Sequence, residues 1–120
     1  MSVQIVGGSV SPSTALTLNA QTGTTYTFVL TDANNTLVTA SNASAQTYTI
    51  PPNSSVAYPI GAQLNIIQIG AGQVSFAQGS GVTIASNGAT STAPKLRVQY
   101  SSATAIKVNT DSWYVVGDIA

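Results

Sequence analysis

The sequence lacks cysteine, histidine and glutamate, and only six of its 120 residues are charged. The cations are Lys95, Arg97 and Lys107, and the anions are Asp32, Asp111 and Asp118. Acid–base catalysis, nucleophilic catalysis and metal binding draw mostly on histidine, cysteine, carboxylates and lysine. The composition therefore predicts a protein that is not an enzyme and that holds neither a cofactor nor a metal ion.

The motifs of common enzyme classes are also missing. A Ser-His-Asp triad needs a histidine, and the glycines of Gly70–Gly72 and Gly79–Gly81 lack the third glycine and the following helix of a nucleotide-binding loop. Asp111 and Asp118 flank one predicted strand, which separates them by about 20 Å, too far for a glycosidase pair. Asp32 and Asp111 are interpreted as turn residues that accept local backbone N–H groups.

Charge and the length of apolar runs argue against nucleic acid and membrane as partners and favour other proteins. Three cations offset by three anions do not form the basic stripe that nucleic-acid binding requires. No apolar run approaches the ~20 residues of a membrane span, and the first residues do not resemble a secretory signal. Neutral polar side chains supply the surface and are less costly to desolvate than charged ones. We therefore expect the chain to work in an assembly, with a soluble monomer as the alternative.

Apolar and polar residues alternate with a period of two along most of the chain, as in half-buried β-strands. Residues Leu64 to Ile69 are partly apolar on both faces, which is typical of a central strand or of a strand covered by a partner. Glycine, proline and asparagine mark turns between such segments. The pattern predicts an all-β fold, as a compact antiparallel β-sandwich or barrel-like domain. The clearest alternating segments are Thr25–Thr31, Thr47–Ile50, Val82–Ile84, Lys95–Tyr100 and Thr104–Asn109.

The first 22 residues depart from this pattern, so we place the β module at residues 23–120. The segment 1–22 is interpreted either as a first edge strand or as an N-terminal arm that adds a strand to the sheet of a partner. Val3, Ile5 and Val6 are its candidate interface residues.

Two further features indicate candidate contact residues. Leu96–Tyr100 and Thr104–Val108 can form a hairpin whose apolar faces match. In that register Arg97 lies directly opposite Lys107 on the outer face, and like charges facing each other are destabilising. The pair would then meet an acidic group on a partner subunit or an anionic ligand. The alternative is a slipped register or two splayed, solvated side chains. Trp113, the single tryptophan, is expected in the core or in an intersubunit contact.

Several stretches carry a family resemblance. In order and spacing they resemble a small β module that recurs in virion proteins of tailed bacteriophages. The resemblance covers most of the chain, implies an all-β fold and brings no catalytic residues. The stretches are Tyr26–Ala33, Leu37–Ala45, Thr49–Gly61, Gly70–Val74, Gly79–Ile84, Lys95–Tyr100 and Trp113–Asp118.

A module of this size without a fibre shaft is similar to capsid decoration, or cement, proteins, which are small, often trimeric and often held by an N-terminal arm. The resemblance implies a structural protein on the capsid exterior, made in the host bacterial cytoplasm, that binds the major capsid protein as a symmetric oligomer. A trimer is expected. The alternative is the tip of a tail fibre or head fibre that binds host surface glycan through Asn53–Tyr58 or Ser86–Thr92.

Overall fold

The structure, a computed structural model, describes residues 15–120 and consists mainly of β-strands. The prediction of an all-β chain is thereby confirmed at the level of a mostly-β fold. Val3, Ile5 and Val6 lie outside the described residues, and their role in an interface stays a prediction. A short 3₁₀ helix, Leu30–Ala33, follows the second strand. The strands are β1 (Thr17–Gln21), β2 (Thr25–Thr27), β3 (Thr36–Ala40), β4 (Gln46–Ile50), β5 (Gln63–Gln68), β6 (Val74–Gln78), β7 (Thr83–Ala85), β8 (Ser102–Asn109) and β9 (Ser112–Gly117).

The strands form two sheets, and the chain passes back and forth between them. The larger sheet has six strands in the order β1-β3-β5-β8-β9-β7, and the smaller has three in the order β2-β4-β6. From β1 to β6 each successive strand belongs to the other sheet, and neighbouring strands within each sheet run parallel. This part of the chain is therefore wound into three stacked coils, each of which contributes one strand to each sheet.

The expected antiparallel pairing is wrong for five of the seven strand pairs. β8 runs antiparallel to β5 and to β9, whereas the other pairs are parallel. Alternation shows that a strand has one buried face, but it does not show the direction of the neighbouring strand. The sequence also does not reveal the winding, because successive coils contain different numbers of residues. Thr17 pairs with Thr36, whereas Leu37 pairs with the more distant Asn65. Without a fixed period, no internal repeat is visible.

Side chains on the inner faces of both sheets form one hydrophobic core. Aromatic rings occupy its centre because the coils place Tyr26, Tyr48 and Phe76 in register. The rings of Tyr26 and Tyr48 have centroids 5.6 Å apart. Phe28 lies 5.9 Å from Tyr48 and 6.3 Å from Phe76. Each buried ring contributes roughly 1.5–3 kcal/mol, and each ring pair about 0.5–1.5 kcal/mol more. We call these four rings the aromatic column.

The two ends of the coil stack differ. At one end, the outer edge of β6 is covered by residues 94–96, whose backbone bonds to Val74 and Phe76. At the other end, β1 and β2 are edge strands, and within residues 15–120 no further strand pairs with their outer sides. β5 lies between β3 and β8, so the prediction of a central strand at Leu64–Ile69 is confirmed.

Glycine allows the turn after β5 to stack closely on the turn after β3. A Cβ at Gly72 would clash with the carbonyl oxygen of Ser44, and a Cβ at Gly70 would clash with the backbone of Asn42. Because each obstacle is backbone, it cannot rotate away. The buried Gln46 completes this corner by donating from Nε2 to the carbonyl oxygen of Gly72 at 3.0 Å.

Replacing Gly72 by alanine is expected to lower the free energy of unfolding by about 2 kcal/mol or more, since overpacking typically costs about 1–3 kcal/mol. Gly23→Ala is the matched control, because a Cβ there would make only ordinary contacts, and it should change stability by less than about 1 kcal/mol. Denaturant unfolding followed by Trp113 fluorescence measures both variants. Equal effects would contradict the close stacking of the two turns.

Candidate interaction surface

Arg97 forms an ion pair within the chain. Its Nε lies 2.7 Å from Asp118 Oδ1, and its second guanidinium contact to Oδ2 is 3.0 Å. Ser101 donates to the same carboxylate at 2.6 Å. The hydrogen bonds from Arg97 and then from Ser101 lower the pKa of Asp118 below its ordinary value. An exposed pair of this kind adds little to stability, but it satisfies both charges without a partner.

Lys107 is buried, and its ammonium group contacts neutral oxygen atoms. Nζ donates to Asn53 Oδ1 and to the carbonyl oxygen of Tyr58, both at 2.7 Å. β8, which contains Lys107, pairs with β5 and β9. The predicted hairpin that sets Arg97 opposite Lys107 is therefore wrong. Leu96–Tyr100 alternates like a strand but ends in a turn, in which Tyr100 has a φ of +70°.

Trp113 lies in the core, which is one of the two placements that its sequence context allowed. It is 2% exposed, and its ring meets that of Tyr58 edge to face at 5.3 Å. Tyr58 is buried as well. The loop Asn53–Tyr58 therefore does not present its tyrosine to a glycan, in contrast to the expectation for a fibre tip.

A polar groove of about 430 Å³ lies beside the edge strands β1 and β2. Within it, the buried carboxylate of Asp32 accepts hydrogen bonds from the Tyr26 hydroxyl at 2.7 Å and from Asn19 Nδ2 at 2.9 Å. It also accepts the backbone N–H of Val29 at 2.9 Å, as predicted for a turn aspartate. Gln21 donates to Asn19 Oδ1 at 2.8 Å. These groups satisfy one another, so the groove is a polar end to the hydrophobic core.

The outward side chains of the six-stranded sheet form a broad surface without charge, which we call the neutral face. Lys107 is the one charged residue within the strands of this sheet, and it is buried on the inner side. Leu18, Tyr114 and Val116 are each more than half exposed on the outer side. The strand register arranges the neutral face in rows, of which two are Leu18-Leu37-Asn65-Thr104-Val116 and Gln63-Ile106-Tyr114-Ala85.

The outer face of the three-stranded sheet has a different character. Its rows are Thr25-Thr47-Ser75 and Thr27-Thr49-Ala77, so hydroxyl groups dominate it. Exposed hydroxyls remain hydrated at little cost, whereas a broad apolar surface marks a site of contact with another molecule. The neutral face is therefore the candidate interaction surface of the described chain.

Comparison with protein-family models, with curated proteins and with solved structures finds no match to this chain. The phage resemblance thus stays an expectation from sequence. Among residues 15–120, no helix has the length and apolar character needed to cross a membrane.

Reasoning from sequence missed the neutral face because it sought contact residues among the charged side chains. The alternation does indicate which residues of each strand point outward, for example Ile106 between the inward Ala105 and Lys107. It cannot show that β1, β3, β5, β8 and β9 lie side by side, and that order is what joins the outward residues into one surface.

The buried tyrosines predict sensitivity to alkaline pH. Burial, with the Asp32 carboxylate as a further cause, raises the pKa of Tyr26 to about 12, and burial raises that of Tyr48 to about 12. Unfolded tyrosines ionise near pH 10. Between about pH 10 and pH 12 the unfolded state therefore binds fewer protons than the folded state, and stability falls as the pH rises. Below this window the tyrosines contribute no pH dependence.

Tyr48→Phe should lose less stability than the wild-type chain over this window, because one ionising group is removed. Denaturant unfolding at several pH values, with the two proteins compared at pH 7 as the reference, measures the difference. Parallel losses in both proteins would show that Tyr48 ionises as freely in the folded as in the unfolded chain.

Proposed function

We propose that this chain is a non-enzymatic structural protein of a bacteriophage virion, which decorates the capsid as a symmetric homo-oligomer, a trimer. The single observation that carries the proposal is the neutral face, an uncharged surface of apolar and neutral polar side chains in a chain whose few charges lie elsewhere. The virion and the major capsid protein as partner come from the sequence resemblance, and the self-association comes from the face.

A surface without charge suits contact between identical subunits. In a symmetric homo-oligomer the same patches are buried at every joint, so a charge without a partner would be desolvated once in each subunit. The rows of the neutral face carry no charge and avoid this cost. Its hydroxyl and amide groups, such as Thr104 and Asn65, already form a hydrogen bond of 2.7 Å with each other, which reduces the cost of removing them from water.

The size of the face favours an assembly with more than one joint per subunit. With strands about 4.8 Å apart and a rise of about 3.3 Å per residue, the face covers roughly 450 Å². Two such faces bury roughly 900 Å² together, just below the ~1,000 Å² expected of a specific interface. In a closed trimer each subunit has two joints that use different patches, so surface beyond the neutral face is buried as well.

Val116→Lys is expected to convert the trimer to monomer, because a lysine at this half-exposed position would be desolvated in the joint without a partner. Thr47→Lys is the matched control: it adds the same charge to an exposed strand position on the three-stranded sheet and should leave the trimer intact. Light scattering coupled to size-exclusion chromatography gives the mass of each. A wild-type monomer, or a trimer unaffected by Val116→Lys, would contradict the proposal.

The virion role has its own test. The purified trimer should bind expanded capsids of the parent phage and raise their melting temperature, because decoration joins neighbouring capsid subunits. The Val116→Lys variant should not. Failure to bind capsids, with binding to host cell-surface polysaccharide instead, would support the fibre-tip alternative.

A further inference from the structure

Lys107 and Asn53 meet in the interior, and their contact plays no part in the proposed assembly. The two residues are 54 positions apart in the chain, yet Lys107 Nζ lies 2.7 Å from Asn53 Oδ1. Because a carboxamide C=O bond is about 1.23 Å long, Nζ lies within about 4 Å of Asn53 Cγ. Reacting atoms in productive arrangements are typically about 3–3.5 Å apart. A shift of less than about 1 Å would therefore bring the amine and the carboxamide carbon to this separation.

Both side chains are held in place by groups around them. Lys107 Nζ donates a second hydrogen bond to the carbonyl oxygen of Tyr58 at 2.7 Å. The backbone N–H of Asn53 donates to Asp111 Oδ1 at 2.8 Å, which fixes the loop that carries Asn53. Lys107 is 2% exposed, and its register partner in β9 is the buried Trp113. Lys107 is therefore shielded from water, whereas Asn53 is only partly buried and leaves solvent access to the contact.

The positive charge of Lys107 favours conversion of its amine to a neutral amide. Among residues 15–120, no carboxylate lies within ion-pair distance of Nζ, since the single ion pair found there joins Arg97 and Asp118. A buried ammonium without a counter-ion costs free energy. Conversion of the amine to an amide removes that charge, so the environment favours the neutral product.

We propose that Lys107 and Asn53 are joined by an intramolecular isopeptide bond, formed without any other protein. The ammonium first releases one proton to solvent, and the lone pair of Nζ attacks Cγ of Asn53. The Nζ–Cγ bond forms and the Cγ–Nδ2 bond breaks, and Nδ2 takes one proton from Nζ and leaves as ammonia. No oxidant or co-reactant is needed. The remaining N–H of the new amide keeps the hydrogen bond to Tyr58.

The bond would close a covalent ring that contains β5, β6, β7 and most of β8, because these strands lie between residue 53 and residue 107. Disulfides that close rings of this size restrict the unfolded chain and stabilise the folded one. In a chain without cysteine, an isopeptide bond would provide the same kind of restraint, and one that reducing agents do not break.

Mass spectrometry of the full-length, purified chain tests the proposal. The intact mass should fall short of the sequence mass by one ammonia. Trypsin cleaves after lysine and arginine, and the chain has two lysines and one arginine. It should cleave the unfolded protein after Lys95 and Arg97 but not after the acylated Lys107. The expected product is a branched peptide that joins residues 1–95 to residues 98–120.

Lys107→Arg is the control, because arginine keeps the cation and its donors but does not form the amide; it should show the full sequence mass. Cyclisation of Asn53 with its own backbone also releases ammonia, but it leaves cleavage after Lys107 intact. A full intact mass after prolonged incubation, or a missing ammonia with normal cleavage after Lys107, would overturn the proposal. Either result leaves the trimer experiments unaffected.

Discussion

The in-register stacking of three coils determines both the core and the outer surface of this protein. Each middle strand, β3 in one sheet and β4 in the other, is paired on both sides, and the aromatic column crosses all three coils inside. A slip by one residue would turn inner side chains outward, so the ladders and the column fix the same register. That register in turn determines which outward residues lie side by side, and the neutral face is its direct product.

The distribution of charge follows from the same winding. Coils stacked around an apolar interior leave little room for ionised groups, and the two that enter it, Asp32 and Lys107, are enclosed by hydrogen-bonding partners. Asp32 lies at the open end of the stack, where its network with Tyr26 and Asn19 gives the core a polar end. Lys107 lies where the loop after β4 crosses the β8–β9 pair. Both positions tie loops to the stack.

The sequence was informative where local pattern determines structure. Thr47–Ile50 and Thr104–Asn109 correspond to β4 and β8, because alternation with β-branched residues favours strands. Leu64–Ile69, apolar in part on both faces, corresponds to β5, which is paired on both sides. β3 was not among the clear alternating segments: Leu37 and Val38 are adjacent apolar residues, and pairing on both sides decides its conformation. The expected strand at Thr25–Thr31 stops at Thr27, since the 3₁₀ helix begins at Leu30. Strand direction, sheet order and the partners of Arg97 and Lys107 arise from long-range contacts, which no local pattern contains.

We claim that the neutral face is buried between subunits in the working form of the protein. Hydroxyl-radical footprinting across a range of protein concentrations reports the exposure of Tyr114, which is 54% exposed in the single chain. Tyr114 should react fully at high dilution and become protected as the subunits associate. A reactivity that stays constant while the mass increases would show that the subunits associate through another surface, and it would contradict the claim.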